Sequence, residues 1–213
     1  MKKKYLLKCR YSLEYTKYHP ETLLGRHIAL VTLRGLLWYN SNLLMLAGLL
    51  HDICKPNSGK MIITKYGEHW QNSNHANEAS DFIVRNREIF NLCNRHNVDV
   101  HELNFIVANH MDKAKDWTDN PIMQKFMYMD NMIQSWTPDD AINRTLRLDG
   151  RPISTDTIVF IGMSDLQIAN NRSDRFTITI GRTPKELMFS KIPDIFLDNG
   201  GSEEVYEYLK LLV

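Results

Sequence analysis

The chain has 213 residues, of which 43% are hydrophobic and 24% are charged, and its formal net charge is +1. This length accommodates one good-sized domain with room for a small appendage, and the near-neutral charge gives no argument for a nucleic-acid coat or a membrane surface. No stretch reaches the roughly 18 consecutive apolar residues that span a bilayer. Lys8 and Arg10 interrupt the N-terminus too early for the apolar core of a signal peptide.

The cysteines and the basic start of the chain complete the global picture. Cys9, Cys54 and Cys93 are odd in number and lack C-x-x-C spacing, which predicts reduced thiols in a cytoplasmic protein. We interpret them as small buried hydrophobic residues without a catalytic role. The segment 2–10 contains four lysines and one arginine. This pattern is typical of a solvated terminus, with a phosphate-attracting arm as the alternative.

The first two-thirds of the chain are predicted to be mostly helical. In residues 20–39, apolar and small residues recur every three or four positions together with His27, which indicates one buried face of a helix. Residues 41–53 begin with a continuous apolar run, and a helix that is hydrophobic all round is a core helix. Ser41 or Asn42 is suited to cap this helix.

A polar segment and three further helices follow. Residues 57–74 are rich in turn-forming residues and are predicted to form a long loop with a short strand at 62–64, and such loops are often functional. Helical spacing predicts helices over 75–90, 99–111 and 121–136. Their predicted inward residues are Ala76, Ala79, Phe82, Ile83 and Phe90; Leu103, Ile106, Val107 and His110; and Ile122, Phe126, Met127, Asp130 and Ile133.

The composition changes after residue 137. Residues 157–162 and 175–181 are predicted to be strands, the second with clean alternation, and a last helix is predicted over 202–212. We therefore predict a helical domain over 1–137, followed by a small C-terminal α+β extension of unknown role over 138–213.

Ionisable residues occupy positions where the apolar pattern predicts burial: His27, His51, Asp52, His110 and Asp130. A lone histidine on such a face is usually a hydrogen-bonded core residue, and this reading stays open for His27 or His110 taken singly. An unpaired buried carboxylate is costly, so Asp130 needs a cation or several donors. Together, histidines and carboxylates from separate helices favour a centre for Mn, Fe, Co, Ni, Zn or Mg.

Basic residues accompany each of these positions along the chain. Arg26 precedes His27, Lys55 follows the His-Asp pair, and Lys113 follows His110. Cations beside a metal site suit a phosphate substrate, because the transition state concentrates negative charge on the phosphoryl oxygens. Taken one by one, each of these basic residues has solvated surface as its alternative.

Five elements in this order resemble the HD superfamily of metal-dependent phosphohydrolases. They are His27, Leu49–Pro56 (similar to "LLHDIGKP"), His75–Ala79 (similar to "H-x-x-x-(G/A)"), Val107–Met111 (similar to "V-x-x-H-M") and Met129–Asn131 (similar to a final "A-D"). Cys54 stands where the family motif has glycine. The arrangement is most similar to the HD domains attached to tRNA nucleotidyltransferases and poly(A) polymerases, over about residues 20–137.

The resemblance implies a mainly α fold with an HD-type helical bundle as its core. It implies one or two divalent ions, with His75 and His110 either completing a second metal site or binding the substrate phosphate. The ligands that it implies are His27, His51, Asp52, Asp130, His75 and His110.

The resemblance also implies hydrolysis of a phosphate ester by water that a metal activates. Asp52 would bridge and orient the nucleophile, and His75 or His110 would protonate the leaving oxygen. Trp70, in the predicted loop, would stack on a base, although simple packing in the loop is the alternative. The predicted catalytic residues are Asp52, His75, His110 and Lys55, and the predicted substrate-binding residues are Arg26, Lys55, Lys113 and Trp70.

The expected substrate is a nucleotide or an RNA end: a 2′,3′-cyclic phosphate, a nucleoside monophosphate or a cyclic nucleotide. One alternative is a non-catalytic, metal-retaining HD domain that senses nucleotides or binds proteins. A further alternative is a dNTP triphosphohydrolase. We expect no membrane partner, and the sequence leaves the oligomeric state open.

Overall fold

Helices make up most of the residues that the structure describes. The computed structural model describes residues 3–13, 23–64, 67–112, 119–131 and 189–213, and the predicted mainly α fold class is confirmed within them. The elements are α1 (Lys3–Tyr11), α2 (Leu24–Tyr39), α3 (Asn42–Leu50), α4 (Lys55–Ser58), β1 (Lys60–Thr64), β2 (Gly67–Gln71), α5 (His75–Arg85), α6 (Arg87–Arg95), α7 (Val100–Asn109), α8 (Pro121–Asn131), α9 (Ile192–Asp198) and α10 (Glu203–Leu212).

Helix α2 lies at the centre of the fold. All of its residues except Arg26 and Leu37 are buried, so the single buried face predicted from periodicity is in fact an almost completely buried helix. It packs against α3 over the largest contact of the fold, and it also contacts α1, α8, α9 and α10. The central position of α2 makes it the reference for every element that carries a candidate ligand.

Two glycines let α2 and α3 approach closely. A Cβ atom added to Gly35 on α2 would lie 2.5 Å from the backbone nitrogen of Met45. A Cβ atom added to Gly48 on α3 would lie 2.7 Å from the backbone nitrogen of Thr32. Since no side chain fits at either position, the two helices are in backbone contact, and this fixes the histidine of α2 relative to the His-Asp pair.

Helix α3 ends just before the His-Asp pair. Ser41 caps its start, as the sequence predicts, because its hydroxyl oxygen accepts a hydrogen bond from the Leu44 backbone N–H at 3.3 Å. The helix ends at Leu50, residues 51–54 form turns, and the single-turn helix α4 follows. The predicted helix over 41–53 is therefore shorter at its C-terminal end, and this end carries His51 as its cap residue.

The segment after α4 is a β-hairpin, so the prediction of a long loop over 57–74 is wrong. Strands β1 and β2 pair antiparallel, with Ile62 opposite His69 and Thr64 opposite Gly67. The short strand predicted at 62–64 is confirmed as part of β1. Polar composition concealed the second strand, because an antiparallel strand does not need apolar residues on both of its faces.

The predicted helix over 75–90 is two helices separated at Asn86. This residue has an extended backbone (φ −109°, ψ 103°), and its side-chain oxygen accepts a hydrogen bond from the Glu88 N–H at 3.0 Å, so it caps α6. The break shifts the helical phase. Ile89 is fully buried, and Phe90, which was predicted to face inward, is 39% exposed.

Helices α7 and α8 agree with their predictions where they are described. Asp99 caps α7, and Asn120 accepts a hydrogen bond from the Met123 N–H at 3.0 Å at the start of α8. Phe126 and Met127 face the core as predicted. The predicted continuation of α8 over 132–136 lies outside the described residues.

The described end of the chain packs against its beginning. Helix α10 contacts α1 and α2, and α9 contacts α2. The same hydrophobic core includes Phe196 and Leu209 near the end of the chain and Leu6 near its beginning. The predicted helix over 202–212 is confirmed as α10. The predicted strands over 157–162 and 175–181 lie outside the described residues, and the boundary after residue 137 stays a prediction.

Two further expectations concern the whole chain. Among the residues that the structure describes, no helix is both long and apolar enough to cross a membrane. The cysteines Cys9, Cys54 and Cys93 are buried and form no disulfide within the described part of the chain, as the sequence predicts. Burial raises the pKa of Cys54 to about 12, so this thiol stays protonated at neutral pH and is unsuited to act as a nucleophile.

Candidate metal centre

Six ionisable side chains from five helices and their ends converge inside the fold. His27 lies in the first turn of α2, His51 and Asp52 directly follow α3, His75 begins α5, His110 caps the end of α7, and Asp130 lies near the end of α8. The four histidines and Asp52 are at most 4% exposed, and the Asp130 side chain is 15% exposed. All six residues predicted as ligands are therefore neighbours.

The first set of side chains consists of His27, His51 and Asp130, whose ligand atoms lie mutually within 4.8 Å. The two imidazole Nε2 atoms are 3.0 Å apart. The Asp130 Oδ1 atom lies 3.0 Å from the Nε2 of His27 and 3.4 Å from that of His51. Three donors so close to one another are compatible with coordination of a single ion.

The second set consists of Asp52, His75 and His110, whose ligand atoms also lie mutually within 4.8 Å. The Nε2 atoms of the two histidines are 3.1 Å apart. The Asp52 Oδ1 atom lies 3.0 Å from the Nε2 of His75 and 3.5 Å from that of His110.

Asp52 joins the two sets through its two carboxylate oxygens. While Oδ1 faces His75 and His110, Oδ2 lies 3.7 Å from the Nε2 of His27 and 3.5 Å from that of His51. A carboxylate that offers one oxygen to each of two donor clusters has the arrangement of a bridging ligand. The first set thus has four donors within reach and the second has three.

Backbone carbonyls fix the orientation of three of the four imidazoles. The Nδ1 atoms of His51, His75 and His110 lie 2.9, 2.6 and 2.7 Å from the carbonyl oxygens of Gly48, Asn72 and Val107. Each Nδ1–H therefore donates to a carbonyl, and in the neutral ring the lone pair is left on Nε2, which faces the cluster. Metal-binding histidines are usually oriented by such a second hydrogen bond.

This donor arrangement fits a cation. Neutral His75 and His110 present two lone pairs to each other at 3.1 Å, a contact that is repulsive unless a proton or a cation lies between them. The Asp52 Oδ1 atom is buried without a hydrogen-bond donor of suitable geometry, which is costly for a carboxylate unless a cation compensates it. Imidazole nitrogen and carboxylate oxygen suit divalent transition metals such as Mn, Fe, Co, Ni and Zn.

The two carboxylates are held in their ionised form. Burial alone would raise the pKa of the Asp52 carboxyl, but Lys55 and His51 outweigh it and hold that pKa well below its usual range. Burial likewise opposes ionisation of Asp130, whose pKa is nevertheless held well below its usual range by His51 and His27. Both groups are therefore anionic at neutral pH, as metal ligation requires.

The predicted substrate-binding residues have different environments. Lys55 lies beside the centre, with its Nζ atom 3.3 Å from Asp52 Oδ2. The Arg26 guanidinium lies over the ring of Phe189, 5.1 Å from its centroid. Trp70 lies in β2 and pairs through its backbone with Met61. Lys113 lies outside the described residues.

The sequence did not indicate that two further residues, Arg34 and Phe126, support the centre. Arg34 is buried on α2, and its Nη1 donates a hydrogen bond to the Met129 carbonyl at 2.6 Å, which holds the end of α8 beside Asp130. The Phe126 ring packs edge-on against His51, with 5.6 Å between the ring centroids. The sequence feature that could have indicated a role for Arg34 is its position among apolar residues of α2.

No family model matches the chain, and neither a curated protein sequence nor a solved structure matches it. The centre is therefore interpreted from its own geometry.

Proposed function

We propose that the protein is a metal-dependent phosphohydrolase of the HD type that acts on a phosphate ester of a nucleotide or of a nucleotide end. The observation that carries the proposal is the pair of donor sets joined by the two oxygens of Asp52. Pairs of divalent ions are a recurring solution for phosphoryl transfer, because they stabilise both the attacking and the leaving oxygen.

In this proposal, each donor set holds one divalent ion. The first set would use His27, His51 and Asp130 with Asp52 Oδ2, and the second would use His75 and His110 with Asp52 Oδ1. Such ions, when bound, supply Lewis acidity toward a phosphoryl oxygen and lower the pKa of water. The ligand set contributes only two negative charges against two divalent cations, so the loaded centre attracts an anionic phosphate.

The residues at the edge of the centre suggest how a phosphate approaches. The side chains of Asp130 and Lys55 are 15% and 12% exposed, whereas those of the four histidines are at most 4% exposed. A substrate would therefore enter on the side of Asp130 and Lys55. There the Lys55 ammonium, which already contacts Asp52, would neutralise a phosphoryl oxygen.

Where the second set binds the substrate phosphate in place of an ion, its histidines could supply the proton that the leaving oxygen takes up. Burial lowers the pKa of His75, but Asp52 outweighs this and raises it above its ordinary value. Burial lowers the pKa of His110, and the nearby Asp52 carboxylate opposes this only in part. His75 is thus the better proton carrier of the two and His110 the better neutral ligand.

The experiment is a nucleotide panel of cyclic, mono-, di- and triphosphates, assayed with Mn²⁺, Co²⁺, Ni²⁺ or Mg²⁺ and resolved by chromatography. We expect metal-dependent turnover in the wild-type protein and its loss in Asp52→Asn. Asp81→Asn is the matched control, because Asp81 is an exposed aspartate on α5 that pairs only locally with Arg85 among the described residues. Turnover that is equal in all three proteins, or no turnover in a metal-loaded wild type, would exclude the proposal.

A further inference from the structure

Helix α1 has two faces of different character. Leu6 and Cys9 are fully buried in the core, while the opposite side is exposed. That exposed side, called here the α1 face, consists of Lys3, Lys4, Leu7, Lys8 and Tyr11. Helix α1 contains four basic residues and no acidic residue, so the basic segment predicted as a solvated terminus is an ordered helix docked on the core.

No described carboxylate balances the positive charge of α1. Among the described residues, no carboxylate forms an ion pair with a basic residue of α1, and Lys8 contacts only the neutral Oδ1 of Asn57, at 3.5 Å. Cations elsewhere behave differently, since Arg95 and Lys210 each bind a glutamate. The α1 face is therefore a local source of positive potential on a chain whose net charge is close to zero.

A cavity opens on the same face. Its volume is about 640 Å³, within the usual range for sites that hold a small organic ligand. Tyr11 is 72% exposed and Leu7 is 39% exposed, so an aromatic ring stands among the lysines. The cavity is lined by Lys4, Leu7, Lys8, Tyr11, Ser12 and Pro56. Ammonium groups beside an exposed aromatic ring suit a phosphate backbone with a stacked base.

The cavity and the metal centre lie on either side of one short helix. Helix α1 contacts α4, and Pro56 of α4 lines the cavity. Lys55, the residue before it, contacts Asp52 of the metal centre at 3.3 Å. A chain bound along α1 can therefore reach the centre within a short path across α4.

An anionic membrane surface is a poorer partner for this face. A helix that lies in a membrane interface must bury an apolar face in the lipid, and the apolar face of α1, with Leu6 and Cys9, is already used by the protein core.

We propose that the α1 face binds the phosphate backbone of a single-stranded nucleic acid, with Tyr11 stacking on a base. Resting on the function proposed above, the end of that strand would be the substrate of the metal centre. Lys4 and Lys8 neutralise successive phosphates, which favours an oligonucleotide end over a free mononucleotide as the substrate.

The test is fluorescence anisotropy with a labelled oligouridylate of about ten nucleotides, measured without added metal over a salt series. We compare the wild type with Lys4→Gln/Lys8→Gln and with the matched control Lys191→Gln/Lys210→Gln, which removes two exposed lysines, one just before α9 and one on α10. The α1 double variant should bind at least about tenfold more weakly at low salt, and the slope of log K against log salt should fall by about 1.4. Tyr11→Ala should weaken binding about tenfold.

The two proposals fail separately. If the α1 variant binds the oligonucleotide as tightly as the control, or if the wild type binds anionic vesicles but not the oligonucleotide, the α1 proposal is overturned. Loss of binding in the α1 variant, with an unchanged circular dichroism melting curve, supports it even if no nucleotide is hydrolysed. Hydrolysis of a mononucleotide should be unchanged in this variant, and a loss there would also contradict the role assigned to α1.

Discussion

The two donor sets of the candidate metal centre are built from different parts of the fold. The first set lies on α2, α3 and α8, and its scaffold is the glycine-mediated contact at the middle of the protein. The second set takes its histidines from α5 and α7, which pack against each other. The first set is positioned by the core packing of the central helices. The histidines of the second set lie at the start of α5 and at the end of α7.

The donor numbers follow the same division. The first set has its own carboxylate, Asp130, and shares Asp52, while the second has only the shared carboxylate. More anionic donors give a divalent ion a stronger site. Under the proposed function, we therefore expect the first set to hold its ion more tightly than the second set, which has one carboxylate fewer.

The largest expected effect comes from removing one ligand of each set. His51→Gln should weaken metal binding by the first set by at least about 100-fold and abolish turnover, whereas His110→Gln should leave one ion bound and remove only the second. Metal content after dialysis, measured by mass spectrometry, distinguishes the two outcomes. His101→Gln is the control, because His101 is an exposed histidine on α7. If both ligand variants lose both ions equally, the two donor sets bind metal as one unit, which would contradict a difference in affinity between them.

The scaffold of the first set predicts a smaller effect. Gly48→Ala places a Cβ atom 2.7 Å from the Thr32 nitrogen, so it should lower the free energy of unfolding by about 1–3 kcal/mol through overpacking. An unstrained glycine-to-alanine change inside a helix would instead stabilise the protein by about 1 kcal/mol. The change in the free energy of unfolding, measured by urea denaturation, therefore has opposite signs in the two cases. A stabilised variant would contradict the close contact of α2 with α3.

The smallest effect concerns the support of the second set. Arg95 on α6, the helix that follows α5, donates two hydrogen bonds to Glu204 on α10 at 2.7 and 2.6 Å. Burial opposes ionisation of Glu204, but Arg95 and Tyr208 outweigh it and lower its pKa below the ordinary value of 4.5. The stabilisation is thus fully present above pH 4.5 and is lost as the pH falls through the lowered pKa.

Thermal denaturation across a pH series checks this prediction. Glu204→Gln should be slightly less stable than the wild type near neutral pH, and the difference should disappear in acid. A difference that persists at low pH would show that the side chain acts by packing rather than by charge.

Features of the fold that depend on a local repeat of apolar residues could be predicted from the sequence. The apolar run before His51 predicted the core helix, and helical spacing placed His110 and Asp130 on inward faces. Convergence of these residues did not follow from spacing alone, because it depends on how α2, α3, α7 and α8 cross. His75 in particular entered through family resemblance, although it begins its helix at helical spacing from the buried Ala79 and Ile83.

Other features depended on local geometry that composition does not reveal. Asn86 breaks one helical pattern because its side chain caps the next helix. The sequence did not predict α1, because basic residues are frequent in it and its buried residues are only Leu6 and Cys9. Arg26 adjoins a ligand in sequence, but a helix turns about 100° per residue, and its guanidinium lies over Phe189.

In the proposed function, Asp52 would bridge two ions, one in each donor set. The most direct test of this bridge is electron paramagnetic resonance of the chelator-stripped wild-type protein titrated with Mn²⁺. We predict isolated Mn²⁺ spectra for the first equivalent and an exchange-coupled signal as the second binds. Isolated spectra through saturation, or no binding at all, would contradict the account.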